Sequence, residues 1–154
     1  MNIRPATTEE DLVVARRLFE EYAAWLGVSL CFQGFAAELA GLPGRYAPPR
    51  GRLLLGWSDN GEAVGCAALR PLGDSVCEMK RLFVRPAHRG QGLGRLLVEE
   101  IVAEARATGY AIMRLDTLPS MNAAMRLYES FGFVRIPAYY ATPLQETIFM
   151  ELRL

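Results

Sequence analysis

Apolar positions along this chain follow two rhythms. Leu12, Ala15, Phe19, Tyr22 and Leu26 recur at helical spacing, which predicts a helix from about Thr8 to Leu26. Thr7 with Glu10, or Thr8 with Asp11, supplies a capping-box start. Ile3 to Pro5 reads as a short edge strand before it. Phe32 to Leu42 reads as a second, weaker helix stopped by Gly41-Leu42-Pro43-Gly44, and Pro43 to Gly51 as loop.

Arg52 to Ser58 and Glu62 to Pro71 are apolar, strand-like runs around Asp59-Asn60-Gly61. That is a hairpin signal, because Asn and Gly accept positive φ. Cys77 to Val84 follows the Gly73-Asp74-Ser75 turn, giving three consecutive antiparallel strands. Leu93, Leu97, Ile101 and Ala105 form one stripe of a helix from Gly92 to Thr108, capped by Gly109. Ile112 to Thr117 is then a strand, and Ala124, Leu127, Tyr128 and Phe131 mark a helix ending at Gly132. Val134 to Ile136 and Thr147 to Leu152 close the pattern as strands. The order β-α-α-β-β-β-α-β-α-β-β predicts a mixed α/β sheet with helices packed on it. At 154 residues the chain is expected to form a single domain, 1–154.

Composition narrows the partners. Seventeen basic residues balance seventeen acidic ones, so no global field favours nucleic acid or an anionic membrane. No apolar run approaches bilayer length, and the first residues lack the apolar core of a signal peptide. A cytoplasmic location is the expectation, with no nucleic-acid or membrane partner. Cys31, Cys66 and Cys77 show no paired spacing, and one histidine cannot build a His-rich site, so no metal is expected.

The chemistry concentrates between Lys80 and Arg95. Lys80, Arg81, Arg85, Arg89 and Arg95 fall there with no acidic residue among them. An apolar strand passes through the glycine-rich turn Arg89-Gly90-Gln91-Gly92-Leu93-Gly94 into a helix. Unpaired N–H groups and the positive end of a helix dipole meet at such a junction, which suits a phosphate or pyrophosphate. The glycine spacing matches neither the dinucleotide fingerprint nor a P-loop.

These residues resemble the GNAT superfamily of acetyl-CoA-dependent N-acetyltransferases. Arg89 to Gly94 fits that family's (Arg/Gln)-x-x-Gly-x-(Gly/Ala) signature, and Ala124-x-x-Leu127-Tyr128-x-x-x-Gly132-Phe133 fits its later motif. The resemblance implies a GNAT-like, mostly antiparallel sheet of about six to seven strands flanked by about four helices. It also implies acetyl-CoA as donor and a small-molecule or protein amine as acceptor, and it leaves homodimer formation open. By resemblance, Arg89, Gly90, Gln91, Gly92, Leu93, Gly94 and Arg95 would hold the pyrophosphate. Leu82, Phe83 and Val84 would pair with the pantetheine arm and supply an oxyanion contact. Tyr128 would protonate the departing thiolate, and Glu78 would act as base.

Four readings stay open beside these. Glu78 and Lys80 share a strand face and also fit a surface ion pair. Met121 stands where many family members carry a pantetheine-binding Asn, with Asn122 displaced by one. The chain could therefore be a non-catalytic acyl-CoA-binding or sensing module. His88 is a candidate phosphate contact, and Trp25, Phe32, Tyr46, Tyr139 and Tyr140 are candidate pocket residues for which packing is the simpler account.

Overall fold

The computed structural model describes residues 1–154, the side chain of Phe32 excepted. Seven strands form one sheet: β1 (Asn2–Pro5), β2 (Arg52–Trp57), β3 (Ala63–Pro71), β4 (Val76–Val84), β5 (Ile112–Thr117), β6 (Val134–Ile136) and β7 (Ile148–Arg153), in the order β1-β2-β3-β4-β5-β7-β6. Every neighbouring pair is antiparallel except β4 and β5. Four helices complete it: α1 (Glu9–Leu26), α2 (Phe35–Ala40), α3 (Leu93–Thr108) and α4 (Asn122–Ser130).

Strand alternation sorts the core onto two faces. Leu53, Leu55, Cys66 and Ala68 pack with Ala15, Leu18 and Phe19 of α1, and with Leu42 and Tyr46. Leu54, Leu69, Cys77 and Met79 pack with Val98, Ile101 and Ala105 of α3 and with Tyr128 of α4. Thr8 caps α1 through a complete capping box with Asp11, as its sequence predicts. The second helix is shorter than expected. Leu30 to Gly34 form a tight 3-10 turn, and Gly34 sits in the left-handed region at φ 68°, so α2 begins only at Phe35. The segment read as loop carries another single turn at Gly44–Tyr46.

Two features of the sheet position the site. The parallel β4–β5 ladder holds for only three residue pairs, Val76↔Ile112, Cys77↔Met113 and Glu78↔Arg114, after which the strands part. β4 also carries a bulge against β3: its register advances from Lys80 to Phe83 while β3 advances only from Ala68 to Cys66. Arg81 holds the bulge at φ 61°, the one non-glycine residue with positive φ among the described residues. Such a conformation costs about 1–3 kcal/mol. The extra residue reverses the alternation. Cys77 and Met79 face α3 before it, and Leu82 and Val84 face α3 after it.

Among the described residues no helix is long and apolar enough to cross a membrane, and no cluster of His, Cys, Asp and Glu could hold a metal ion.

Candidate active site

A groove of about 270 Å3 runs from the end of β4 between the N-termini of α3 and α4. Leu82, Phe83 and Val84 form one wall, Arg89, Gly90, Leu93 and Gly94 the second, and Met121, Asn122, Ala124 and Leu127 the third. Seven of the residues expected to bind the donor therefore meet here. Gln91 and Gly92 belong to the same turn without lining the groove. Arg95 reaches sideways instead, donating to Ser130 Oγ at 2.8 Å and lying over the Phe131 ring, so it ties α3 to α4.

The turn has the form an anion needs. Gly90 and Gly92 take φ 77° and 87°, values that side chains make costly. No side chain caps α3 and no acidic residue occupies its first turn, so the helix presents its positive end unopposed. His88 also lines the groove, and its Nδ1 is buried without a partner. An orphaned polar atom beside free helix N–H groups suits a large, anionic ligand. The residues lining the groove thus fit a long anionic ligand such as acetyl-CoA.

The groove is roofed by Trp25, which stacks on the Arg89 guanidinium at 4.3 Å and packs against Phe83. Arg89 Nε donates to the Val84 carbonyl at 2.8 Å. Trp25 is one of the aromatic residues that the sequence offers as a pocket candidate, and it lines the groove while staying 44% exposed. Met121 lines the groove at the position where an Asn was the family expectation, and Thr117 Oγ1 donates to its sulfur.

The five-cation patch predicted between Lys80 and Arg95 is not one surface. Only Arg89 lines the groove. Arg85 makes a two-pronged pair with Glu21 at 2.8 Å and a further contact with Glu62. The strand and its bulge turn Lys80 and Arg81 onto the opposite sheet face. There Arg81 is buried and donates to both Glu38 oxygens at 2.9 Å and to Gln33. Lys80 donates to Gln33 at 3.1 Å and lies 3.8 Å from Asp116. Burial lowers the affinity of the Lys80 amine for its proton, and Asp116 acts against that.

Tyr128 is 4% exposed and packs against Phe133. Burial pushes its phenol well above the ordinary range, so it carries its proton at neutral pH. Its ring borders a small cavity shared with Leu82, Lys80, Asp116 and Tyr22. Tyr22, buried beside Asp116, is itself pushed up to about 12 by burial.

Glu78 has different surroundings from those a base at this cavity needs. Its side chain is 2% exposed, Arg70 grips one carboxylate oxygen at 2.8 Å from two nitrogens, and the Tyr139 hydroxyl donates to the other. It borders neither the groove nor the Tyr128 cavity. The surface ion pair with Lys80 is also replaced, since both groups are buried and each has another partner. Burial, then Glu78, raises the Tyr139 phenol. Tyr140 donates to Asp116, so both half-buried loop tyrosines serve as hydrogen-bond donors rather than as anchors alone. Tyr46 stays in the core against Phe19. The Phe32 side chain lies outside the described residues.

Residues 15–133 match the Acetyltransferase (GNAT) family. A Schizosaccharomyces pombe protein named as an uncharacterized N-acetyltransferase is 41% identical over 100% of this chain and 95% of its own length. A Klebsiella pneumoniae structure assigned as an acyl-CoA N-acyltransferase superposes with TM-score 0.79 at 30% identity, covering 99% of this chain and 97% of its own. A Salmonella typhimurium structure assigned as an acetyltransferase, with its cofactor acetyl-CoA, shares the fold at TM-score 0.72 and 24% identity, covering 99% of this chain and 93% of its own.

Proposed function

Because the chain belongs to the GNAT acetyltransferase family, an acyltransferase family, we propose that it moves an acetyl group from acetyl-CoA to a primary amine by direct attack. The observation that carries this reading is the groove, which holds an uncapped, acid-free helix N-terminus and shares Leu82 and Met121 with the small cavity that the protonated Tyr128 borders. The bound donor supplies an activated acetyl thioester, and the protein residues act around it. The N–H groups from Gly90 through the first turn of α3 hold the pyrophosphate. Past Glu78 the β4 edge has no strand partner on the β5 side among the described residues, so its main chain is free to pair with an extended amide-bearing arm. A backbone N–H near Leu82 would polarise the acetyl carbonyl. Tyr128 donates its phenolic proton to the leaving sulfur.

Release of free thiol from acetyl-CoA across a panel of amines, with CoA affinity measured by calorimetry, tests the reading. Amine-dependent release is expected. Met121 at the usual Asn position favours one second reading, a non-catalytic acyl-CoA module. Tight CoA binding with no amine-dependent release from any panel member would establish that module instead.

A further inference from the structure

Three hollows meet at Met121. It lines the donor groove, the cavity of about 20 Å3 that Tyr128 borders, and a third hollow of similar volume lined by Leu26, Leu30 and Leu144. Among the described residues it is the one common to all three, and Leu82 is the one other residue common to the groove and the Tyr128 cavity. The backbone of Met121 is fixed at the start of α4, where its carbonyl accepts from the Met125 N–H at 3.0 Å. Its sulfur is tied to the end of β5, where the hydroxyl of the buried Thr117 donates to it at 3.6 Å. The half-buried side chain therefore reaches from helix to strand and forms part of what keeps the three hollows apart.

We propose that Met121 sets the length of the acyl group the donor can carry, admitting acetyl and shutting out butyryl and longer chains. The inference rests on the acetyl-transfer reading above and names the donor class of that same site. In that reading the Tyr128 phenol protonates the departing sulfur and a main-chain N–H near Leu82 polarises the carbonyl. Both can act on one thioester only where the groove meets the Tyr128 cavity, and Leu82 and Met121 are the residues that the two share. The acyl carbons beyond the carbonyl lie against Met121 there. The cavity ahead of them has room for about one water, a space that a methyl group fills and a propyl tail exceeds. A longer chain has to push the thioether off Thr117, and that clash is what rejects it.

The identity of the residue fits this role. Methionine in place of the Asn that the resemblance suggests gives up a hydrogen bond to the pantetheine, and gains apolar surface and one atom of reach. The chemistry is the same for any acyl group. The neutral amine nitrogen bonds to the acyl carbon, the carbon–sulfur bond breaks, and the sulfur takes the Tyr128 proton. A proton leaving the nitrogen restores the phenol, which gives an amide and free CoA thiol. Only the room beside the acyl carbon distinguishes one donor from another. Met121→Ala removes the γ-carbon, the sulfur and the ε-methyl, and so opens the groove toward both small hollows.

Calorimetry with free CoA and with acetyl-, propionyl-, butyryl- and hexanoyl-CoA, in the absence of any amine, tests the assignment. Each acyl-CoA affinity is divided by that for free CoA, so that a general loosening of the groove cancels. On this scale the unmodified protein should bind butyryl-CoA at least about tenfold more weakly than acetyl-CoA. Met121→Ala should reduce that discrimination at least about tenfold, while Met121→Leu, which keeps the bulk, should retain most of it. Butyryl-CoA bound as tightly as acetyl-CoA by the unmodified protein overturns the assignment, through a measurement that needs no variant. So does a Met121→Ala protein that keeps the full discrimination. If the unmodified protein binds no acyl-CoA, the donor reading fails and this assignment with it. Binding that discriminates as expected, with no thiol released by any amine, overturns the transfer reading alone and supports Met121 as the wall.

Discussion

The two sides of β4 hold their shape by different means. The groove side is apolar, built from contiguous segments, and offers ligands main-chain groups at a turn and a strand edge. The other side carries three ion pairs, Arg81 with Glu38, Arg70 with Glu78 and Lys80 with Asp116, joined through Gln33, Tyr139 and Tyr140. A nucleotide-like donor is one molecule that backbone donors can grip without regard to side-chain identity. Buried charges require partners of matched sign and geometry, and such partners select what lies beside them. The groove is thus open to a ligand that main-chain groups can hold, while the polar face is closed on its own matched partners.

The polar face depends most on Glu38. Its removal leaves the buried Arg81 guanidinium unpaired at a strained backbone position, so Glu38→Ala should cost about 3–5 kcal/mol in urea unfolding. CoA affinity per folded molecule should change little, and a large loss would show that the two sides are one unit. Tyr128→Phe probes the seam between them. It should lower kcat by about 10²–10³-fold, within the range of a lost general acid, with CoA affinity kept. Near-normal turnover would remove Tyr128 from the mechanism. On the groove side, Gly92→Ala forces a side chain onto φ 87°, a strain of about 1–2 kcal/mol, and should weaken CoA binding roughly tenfold. The smallest effect belongs to the cap of α1, the helix whose Tyr22 and Trp25 reach the two sides. Thr8→Ala should cost about 1 kcal/mol, measured by thermal unfolding. Hydrogen bonds from the Thr7 and then Thr8 N–H groups, with the Arg4 charge, hold the Asp11 carboxyl below its ordinary 3.8 against the opposing effect of burial. Its contribution is therefore complete above that value and is lost as pH falls through the lower folded value. Stability that rises on acidification in this range would contradict the cap.

Sequence alone carried the element order, because each strand and long helix keeps one rhythm between glycine and turn residues. It carried two walls of the groove too, since strand, turn and helix are adjacent in the chain. The polar face was not legible. Gln33 and Glu38 come from a short turn and helix, Arg70 from β3, and Tyr139 and Tyr140 from a loop, and no local pattern brings them to β4. One signal was present and pointed elsewhere. Lys80-Arg81, two consecutive cations inside an apolar strand, demand buried counter-charges, yet they read naturally as part of the basic turn that follows. The bulge at Arg81 was equally silent, because a positive φ on arginine leaves no mark in composition. Without it, alternation puts Glu78 and Lys80 on the face of Leu82 and Val84, and a base at Glu78 looks natural.

Gly56 and Gly65 stand opposite each other on β2 and β3, below the start of α3. A Cβ on Gly65 would lie 2.9 Å from the Phe83 carbonyl oxygen and 3.2 Å from Leu93 and Leu97, and one on Gly56 would lie 3.0 Å from Leu93. Leu93 is thus seated in a notch cut into two strands, and the notch sets the height at which the helix meets the sheet. A methyl group added at Gly56, on the second strand from β4, would have to push the end of the Leu93 side chain aside at the seat of α3. Because Leu93 opens the helix that follows the glycine turn, that push bears on the turn while every residue lining the groove stays unsubstituted.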